Sequence, residues 1–148
     1  MDDWVQIIMA FFGSLGFALL YNIRGRKLWY AAFGGLLAWS VYLLLRLWIE
    51  SDVTQYLIAA SLVTVYAEVL ARATKTPSTT FLIAAIIPLV PGSGLYYTMS
   101  YAINGSWDKF IDTGIHTLAL SAALAAGIMV ASSVCRIITV TFVHWKNR

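Results

Sequence analysis

Two ionisable side chains inside an apolar segment are the first candidates for chemistry. Glu68 and Arg72 are four residues apart near the end of that segment, so they share one face of a helix, and Lys75 follows them. A charge at the centre of a bilayer costs at least about 2.5 to 3.5 kcal/mol, so an ionisable residue in a spanning helix indicates function by default. In one interpretation Glu68 binds a proton or cation or gates access, and Arg72 with Lys75 attracts an anion. The alternative is a structural ion pair beside basic membrane anchors.

A second candidate is a break in the fourth apolar segment, where two prolines, Pro88 and Pro91, are followed by Gly92 and Gly94. Each interior proline removes an amide donor and clashes with the preceding turn, and the glycines add backbone freedom. The pattern therefore predicts a discontinuous helix. The alternative is a simple proline kink whose free backbone groups bond to neighbouring helices.

The backbone groups at this break predict a site for a small polar solute. If Ser93 caps a second half-helix, the amides of Gly94 and Leu95 lack helical partners at the positive end of a helix dipole, which suits a carboxylate. The carbonyls freed at Ile87 and Leu89 would receive an ammonium group or a cation. The predicted substrate contacts are the residues of the break and the two tyrosines after it: Pro88, Pro91, Gly92, Ser93, Gly94, Leu95, Tyr96 and Tyr97.

Other chemical signatures are weak. His116 follows Asp112 by four residues, which permits a proton relay but fits an interface histidine beside an acid at least as well. The sequence has no phosphate-binding loop, no nucleophile elbow and no paired catalytic carboxylates, so no enzyme activity and no catalytic residue are predicted. The single cysteine, Cys135, and the absence of metal-ligand spacing predict neither a disulfide nor a metal or other cofactor.

The composition indicates an integral membrane protein. Of the 148 residues, 60% are hydrophobic and 11% are charged, with a mean hydropathy of +0.76, whereas about 25% charged residues is normal for a soluble domain. The net charge of +3 comes from basic residues placed between apolar runs. Such residues set membrane orientation, so the charge does not indicate nucleic-acid binding.

The apolar runs predict an all-α fold with a single transmembrane domain over residues 1–148. A helix of about 20 residues crosses a hydrocarbon core roughly 30 Å thick. Five runs have enough length, of which the fourth is broken near residues 88–94: 4–21, 29–49, 54–73, 78–103 and 111–143.

The distribution of charge distinguishes a single crossing of the fourth run from a re-entrant hairpin. If this run crosses once, most basic residues lie on one side: Arg24, Arg26, Lys27, Arg72, Lys75, Arg136, Lys146 and Arg148. Six of the seven acidic residues then lie on the other: Asp2, Asp3, Glu50, Asp52, Asp108 and Asp112. The positive-inside rule therefore predicts five crossings, with the N-terminus outside and the C-terminus in the cytoplasm.

Small residues and one tryptophan predict contacts between helices. Gly34 and Gly35 form a small face that favours close approach of a neighbouring helix, and Gly127 with Ala131 forms another. Trp39 is the one tryptophan near mid-span, where packing between helices is favoured over a place along a substrate path.

The chain resembles the bacterial threonine/serine exporter family, in particular the short subunits that match the C-terminal half of its full-length members. The resemblance rests on motifs spread along most of the chain: Phe17–Asn22 before the basic turn, Gly34-Gly35, Glu68, Ala71-Arg72, Lys75, Pro77, Phe81, Ile87–Gly92 and Tyr96. It implies a multi-pass protein of the bacterial inner membrane that exports threonine, serine or a dicarboxylate such as succinate.

The resemblance also implies a partner. Short members are thought to work with a second, larger exporter subunit, and a homo-oligomer is the other way to complete the assembly. The predicted partners are thus a small carboxylate or amino-acid solute, the lipid bilayer and another subunit, without nucleic acid. The alternatives are a non-transporting structural or assembly subunit, or a channel.

Overall fold

The computed structural model describes the backbone of residues 2–146 and the side chains of residues 2–139 and 141, so Arg148 of the basic C-terminus lies outside it. Regular structure in this part of the chain is entirely helical. In chain order it consists of α1 (Asp3–Leu20), α2 (Arg26–Arg46), α3 (Asp52–Thr74), α4 (Thr79–Ile86), a 3-10 turn (Ile87–Leu89), α5 (Gly92–Ile103) and α6 (Trp107–Lys146). The predicted all-α fold class is confirmed.

Four helices in the described residues, α1, α2, α3 and α6, are each long and apolar enough to cross a membrane. The fourth predicted span is divided. Its two parts, Thr79–Leu89 and Gly92–Ile103, are together long and apolar enough to cross a membrane. They meet at a bend of 54°. The structure thus has four helices able to span a membrane by length and composition, or five if the bent pair is one span, which agrees with the predicted architecture. The orientation with the N-terminus outside stays a prediction.

Left-handed backbone conformations follow three of the helices. Lys75 has a φ of 49° after α3, and the next amide, that of Thr76, donates to the carbonyl of Ala71 at 3.0 Å. This bond to a carbonyl five residues earlier is the Schellman arrangement, which satisfies carbonyls that a helix end leaves free. Asn22 after α1 and Gly105 after α5 have the same arrangement. The backbone of Lys75 therefore has a structural role, independent of its charge.

Glycines allow α2 to approach two other helices closely. A methyl group on Gly35 would collide with the hydroxyl of Ser14 on α1 and lie 3.2 Å from the carbonyl oxygen of Ala10. A methyl group on Gly34 would lie 2.6 Å from the Cβ of Ala85 on α4. The contact predicted for this small face is confirmed, and it involves two partners.

A second glycine contact joins α3 to α6. A Cβ on Gly127 would lie 2.6 Å from the carbonyl oxygen of Leu57, so the two backbones almost touch. The Ser61 hydroxyl donates to that same carbonyl at 2.8 Å and lies 3.3 Å from the carbonyl oxygen of Gly127. Ala131, one turn later, is buried. The predicted packing face of Gly127 and Ala131 is confirmed.

The two arms of the bent span have different neighbours. α4 packs against α1, α2 and α3, whereas α5 packs along α6. Three residues of α4 are buried, Phe81, Ala84 and Ala85, but α5 contains no buried residue. The first arm is therefore part of the helix core, and the second lies at its surface.

Candidate functional site

The broken span changes direction at the 3-10 turn that contains Pro88. The amide of Val90 donates to the carbonyl of Ile87 at 3.1 Å, and the amide of Gly92 donates to the carbonyl of Val90 at 2.7 Å. Val90 itself is extended, with φ −64° and ψ 125°. The predicted discontinuity is present, and its non-α-helical part occupies residues 87–91.

The second half-helix begins earlier than predicted. Pro91, rather than Ser93, is the residue that precedes α5. Proline suits this position because its fixed φ fits the helix start and it has no amide to satisfy. The amide of Leu95 consequently donates to the carbonyl of Pro91 at 3.1 Å.

Two backbone hydrogen bonds, one in α5 and one in the 3-10 turn, correct details of the predicted solute contact. The amide of Leu95 is not free, and the carbonyl of Ile87 is occupied by the amide of Val90. Helical geometry leaves the amides of the first turn unpaired, so Ser93 and Gly94 replace Gly94 and Leu95 as the candidate donors.

Gly94 is packed tightly between α5 and α6. A Cβ there would collide with the hydroxyl of Thr117 and lie 3.2 Å from its Cγ2. The Thr117 hydroxyl donates to the carbonyl of Thr113 at 2.7 Å, which holds it in place. Gly92, in contrast, would have no atom within 4 Å of an added Cβ. Helix packing therefore explains the glycine at 94 but not the one at 92.

The residues that follow lie on the outer surface of α5. Leu95, Tyr96 and Tyr97 are 54%, 70% and 52% exposed, and the rings of Tyr96 and Tyr97 meet edge to face at 5.4 Å. Ser93 is also exposed, whereas Pro91 is buried. The structure does not gather these predicted contacts around one pocket.

A cleft of about 350 Å³ lies on the other side of the break, between α1, α2 and the 3-10 turn. It is lined by Gln6, Met9, Ala10, Trp39 and Pro88, and we call it the Gln6–Trp39 cleft. The indole Nε1 of Trp39 donates to Oε1 of Gln6 at 3.2 Å. Pro88 is the predicted site residue that reaches this cleft.

Trp39 contacts another helix through its bond to Gln6, and its place along a substrate path stays a prediction. Its ring packs on that of Tyr42 on the same helix at a centroid distance of 5.0 Å, and its side chain lines the cleft. Gln6 was not predicted at all. The available signal was an amide side chain in the first apolar run, on the same helix face as Ala10.

Glu68 and Arg72 form the predicted ion pair on α3. Nη2 of Arg72 lies 3.1 Å from Oε2 of Glu68 and also donates to the carbonyl of Cys135 on α6 at 3.2 Å. The side chain of Arg72 is 41% exposed and that of Glu68 is 20% exposed. The pair therefore connects α3 to α6 and remains accessible from outside the protein.

The geometry fits a membrane protein with a broken span beside a cleft, and a family comparison identifies the class. The model of the family described as Threonine/Serine exporter, ThrE, matches residues 6–134. The chain belongs to the threonine/serine exporter family. No match was found among curated proteins or among solved structures.

The matched range of this exporter-family chain contains the cleft lining, the break and the Glu68–Arg72 pair. It begins at Gln6 in the cleft, includes the break and the Glu68–Arg72 pair, and ends at Val134 on α6. The family is one of membrane transporters and not of enzymes. Within the described residues, no group of three or more His, Cys, Asp and Glu side chains is placed to hold a metal ion.

His116 has a different acidic partner from the one predicted. Its Nε2 lies 3.6 Å from Oδ2 of Asp52 at the start of α3, and both side chains are about half exposed. Asp112 is its neighbour along α6, but the contact is made across two helices. The exposure favours an interface histidine beside an acid over an internal proton relay.

Proposed function

We propose that this chain exports small carboxylate-bearing solutes across the bacterial inner membrane. Threonine and serine are the first substrates to test, and a dicarboxylate such as succinate is the alternative. The family match over residues 6–134 carries the proposal. The 54° break in an apolar span supports it, because discontinuous helices are a common solute-holding device of secondary transporters.

Export proceeds by alternating access around the broken span. The 3-10 turn and Pro91 interrupt the regular helix, so this is where one arm can turn relative to the other. In this proposal the amides of Ser93 and Gly94 receive a solute carboxylate at the positive end of α5. The exposure of Ser93 supports access to that end.

The chain acts as the small subunit of a larger exporter, or as a homo-oligomer. Its resemblance to the C-terminal half of full-length exporters supports this proposal. The absence of buried residues on α5 is consistent with it, since large side chains such as Met99 (66% exposed) and Ile103 (86% exposed) remain open.

Efflux from proteoliposomes tests the proposal. Vesicles loaded with radiolabelled threonine, serine or succinate are prepared with this chain alone, with its partner subunit, and without protein. We expect saturable efflux of at least one solute, driven by a pH gradient, when the assembly is complete. Flux that rises linearly with concentration would indicate a channel. No flux from any preparation would leave the structural subunit as the better description.

Glu68 is proposed to couple export to the proton gradient, supported by its place in a spanning helix and its partial exposure. We expect Glu68→Gln to retain solute binding while efflux no longer responds to an imposed pH gradient, because glutamine cannot take up the proton. Arg72→Gln is the matched control, because it breaks the same ion pair but keeps the carboxylate. If a pH gradient stimulates efflux equally in Glu68→Gln and in the parent, Glu68 has no part in coupling.

A further inference from the structure

The Gln6–Trp39 cleft has the size and lining of a small-molecule site. Its volume of about 350 Å³ falls within the range of roughly 300 to 1,000 Å³ that is usual for such sites. Met9, Ala10 and Pro88 give it an apolar wall, and the Gln6 carboxamide and the Trp39 indole are its polar groups. Mostly apolar walls with a few placed polar groups are typical of ligand pockets.

The cleft lies beside the close contact between α1 and α2 at Gly35. Ala10 lines the cleft, and the same residue's carbonyl lies 3.2 Å from where a Gly35 Cβ would be. Ser14, one turn further along α1, fills the space beside Gly35. Trp39 is one turn from Gly35 on α2, so the cleft is adjacent to this close contact.

The polar pair is placed so that a solute can compete with it. The bond from Trp39 Nε1 to Gln6 Oε1 is 3.2 Å long, at the long end of the usual range of about 2.7 to 3.2 Å for N–H···O bonds. Both side chains are only partly buried. A carboxylate is a stronger acceptor than an amide oxygen, so it can take the indole N–H from Gln6.

We propose that the Gln6–Trp39 cleft holds the exported solute, with the Trp39 N–H and the Gln6 carboxamide as its hydrogen-bonding groups. This inference rests on the proposed export function and adds a second place where the solute binds, separate from the Ser93 and Gly94 amides. Pro88 connects the cleft to the broken span, so movement of the 3-10 turn changes the shape of the site.

The lining also selects the class of solute. All five lining residues are uncharged. A zwitterionic amino acid carries no net charge and brings its own ammonium group, whereas a dicarboxylate would place two negative charges where no lining cation compensates them. The cleft therefore favours threonine or serine over succinate.

Transport kinetics provide the first test. Trp39→Phe keeps a ring to pack on Tyr42 but removes the N–H donor. We expect the KM for threonine efflux to rise about five- to tenfold, the effect of one lost hydrogen bond, with kcat within about twofold of the parent. Trp29→Phe is the matched control on the same helix, because Trp29 stacks on Phe11 away from the cleft. An unchanged KM in Trp39→Phe, or an equal rise in both variants, would overturn the assignment.

Cysteine protection tests the cleft without depending on transport. In a Cys135→Ser background, Met9→Cys places a thiol in the cleft lining, and Ile8→Cys places one on the adjacent exposed position of α1 outside it. We expect saturating threonine to slow labelling of Met9→Cys by a water-soluble thiol reagent at least about threefold, while succinate does not and Ile8→Cys is unaffected.

The outcomes separate the two proposals. Protection of Met9→Cys by threonine without efflux from any vesicle would refute the export proposal and keep the cleft as a binding site. Threonine efflux without protection would refute the cleft assignment and keep the export proposal. Equal protection by succinate would overturn the selectivity argument.

Discussion

Gly35→Leu is expected to prevent most of the protein from folding, because the new side chain cannot fit between α1 and α2. Even a methyl group there would collide with Ser14 and approach the backbone of Ala10. Overpacking of this type typically costs about 1 to 3 kcal/mol and occasionally more, and the upper end is expected because both Ser14 and the Ala10 carbonyl are in the way. The monodisperse fraction on size-exclusion chromatography in detergent, and the temperature at which that fraction is lost, measure the effect.

The control for this prediction is Gly16→Leu on α1. Gly16 also lies inside a spanning helix, but an added Cβ there would have no atom within 4 Å. The yield and thermal stability of Gly16→Leu should stay near those of the parent. If Gly35→Leu is equally stable, α1 and α2 are further apart than described.

Gly94→Ala is expected to abolish most export by forcing α5 away from α6. The added methyl group would collide with the Thr117 hydroxyl, which the carbonyl of Thr113 holds by a hydrogen bond. We expect a stability loss of about 1 to 3 kcal/mol and little efflux in the vesicle assay. Gly92→Ala, at an unobstructed position in the same helical turn, is the control and should export normally.

A compensating change separates packing from solute binding at Gly94. Thr117→Ala removes the hydroxyl and the Cγ2 that obstruct a side chain at position 94. Gly94→Ala combined with Thr117→Ala should therefore regain much of the efflux and stability. If stability returns but efflux does not, the conformation of the Ser93 and Gly94 amides matters for the solute itself. If neither returns, the Thr117 contact does not explain the glycine.

Local sequence signals suffice to predict the elements of this fold. Two prolines within four residues interrupt a helix wherever they occur in a span, so the break at Pro88 and Pro91 follows from backbone chemistry alone. The small face at Gly34 and Gly35 likewise predicts a close helix contact, since a missing Cβ in a membrane helix usually admits a neighbour. The exact start of α5 depends on which residue can precede the helix without leaving its own amide unpaired. Pro91 has no backbone N–H, so it suits this position.

The candidate site was less predictable because its contacts join distant parts of the chain. Gln6 and Trp39 are 33 positions apart, and the meeting of His116 with Asp52 requires α6 to lie beside α3. Periodicity shows which face of a helix is apolar but not which helix covers it. By contrast, the pairing of Glu68 with Arg72 is a property of one helix, and it could be predicted from a spacing of four residues.

The two arms have different neighbours, so the bend angle also reports how two groups of helices are arranged. α4 packs against α1, α2 and α3, and α5 packs along α6, so the angle between the arms measures how these two groups of helices are placed relative to each other. A rotation of one group about the other must appear as a change in this single angle. Ile83 and Met99 are both exposed and lie on opposite arms. The distance between spin labels at these two positions would report changes in the angle during the transport cycle.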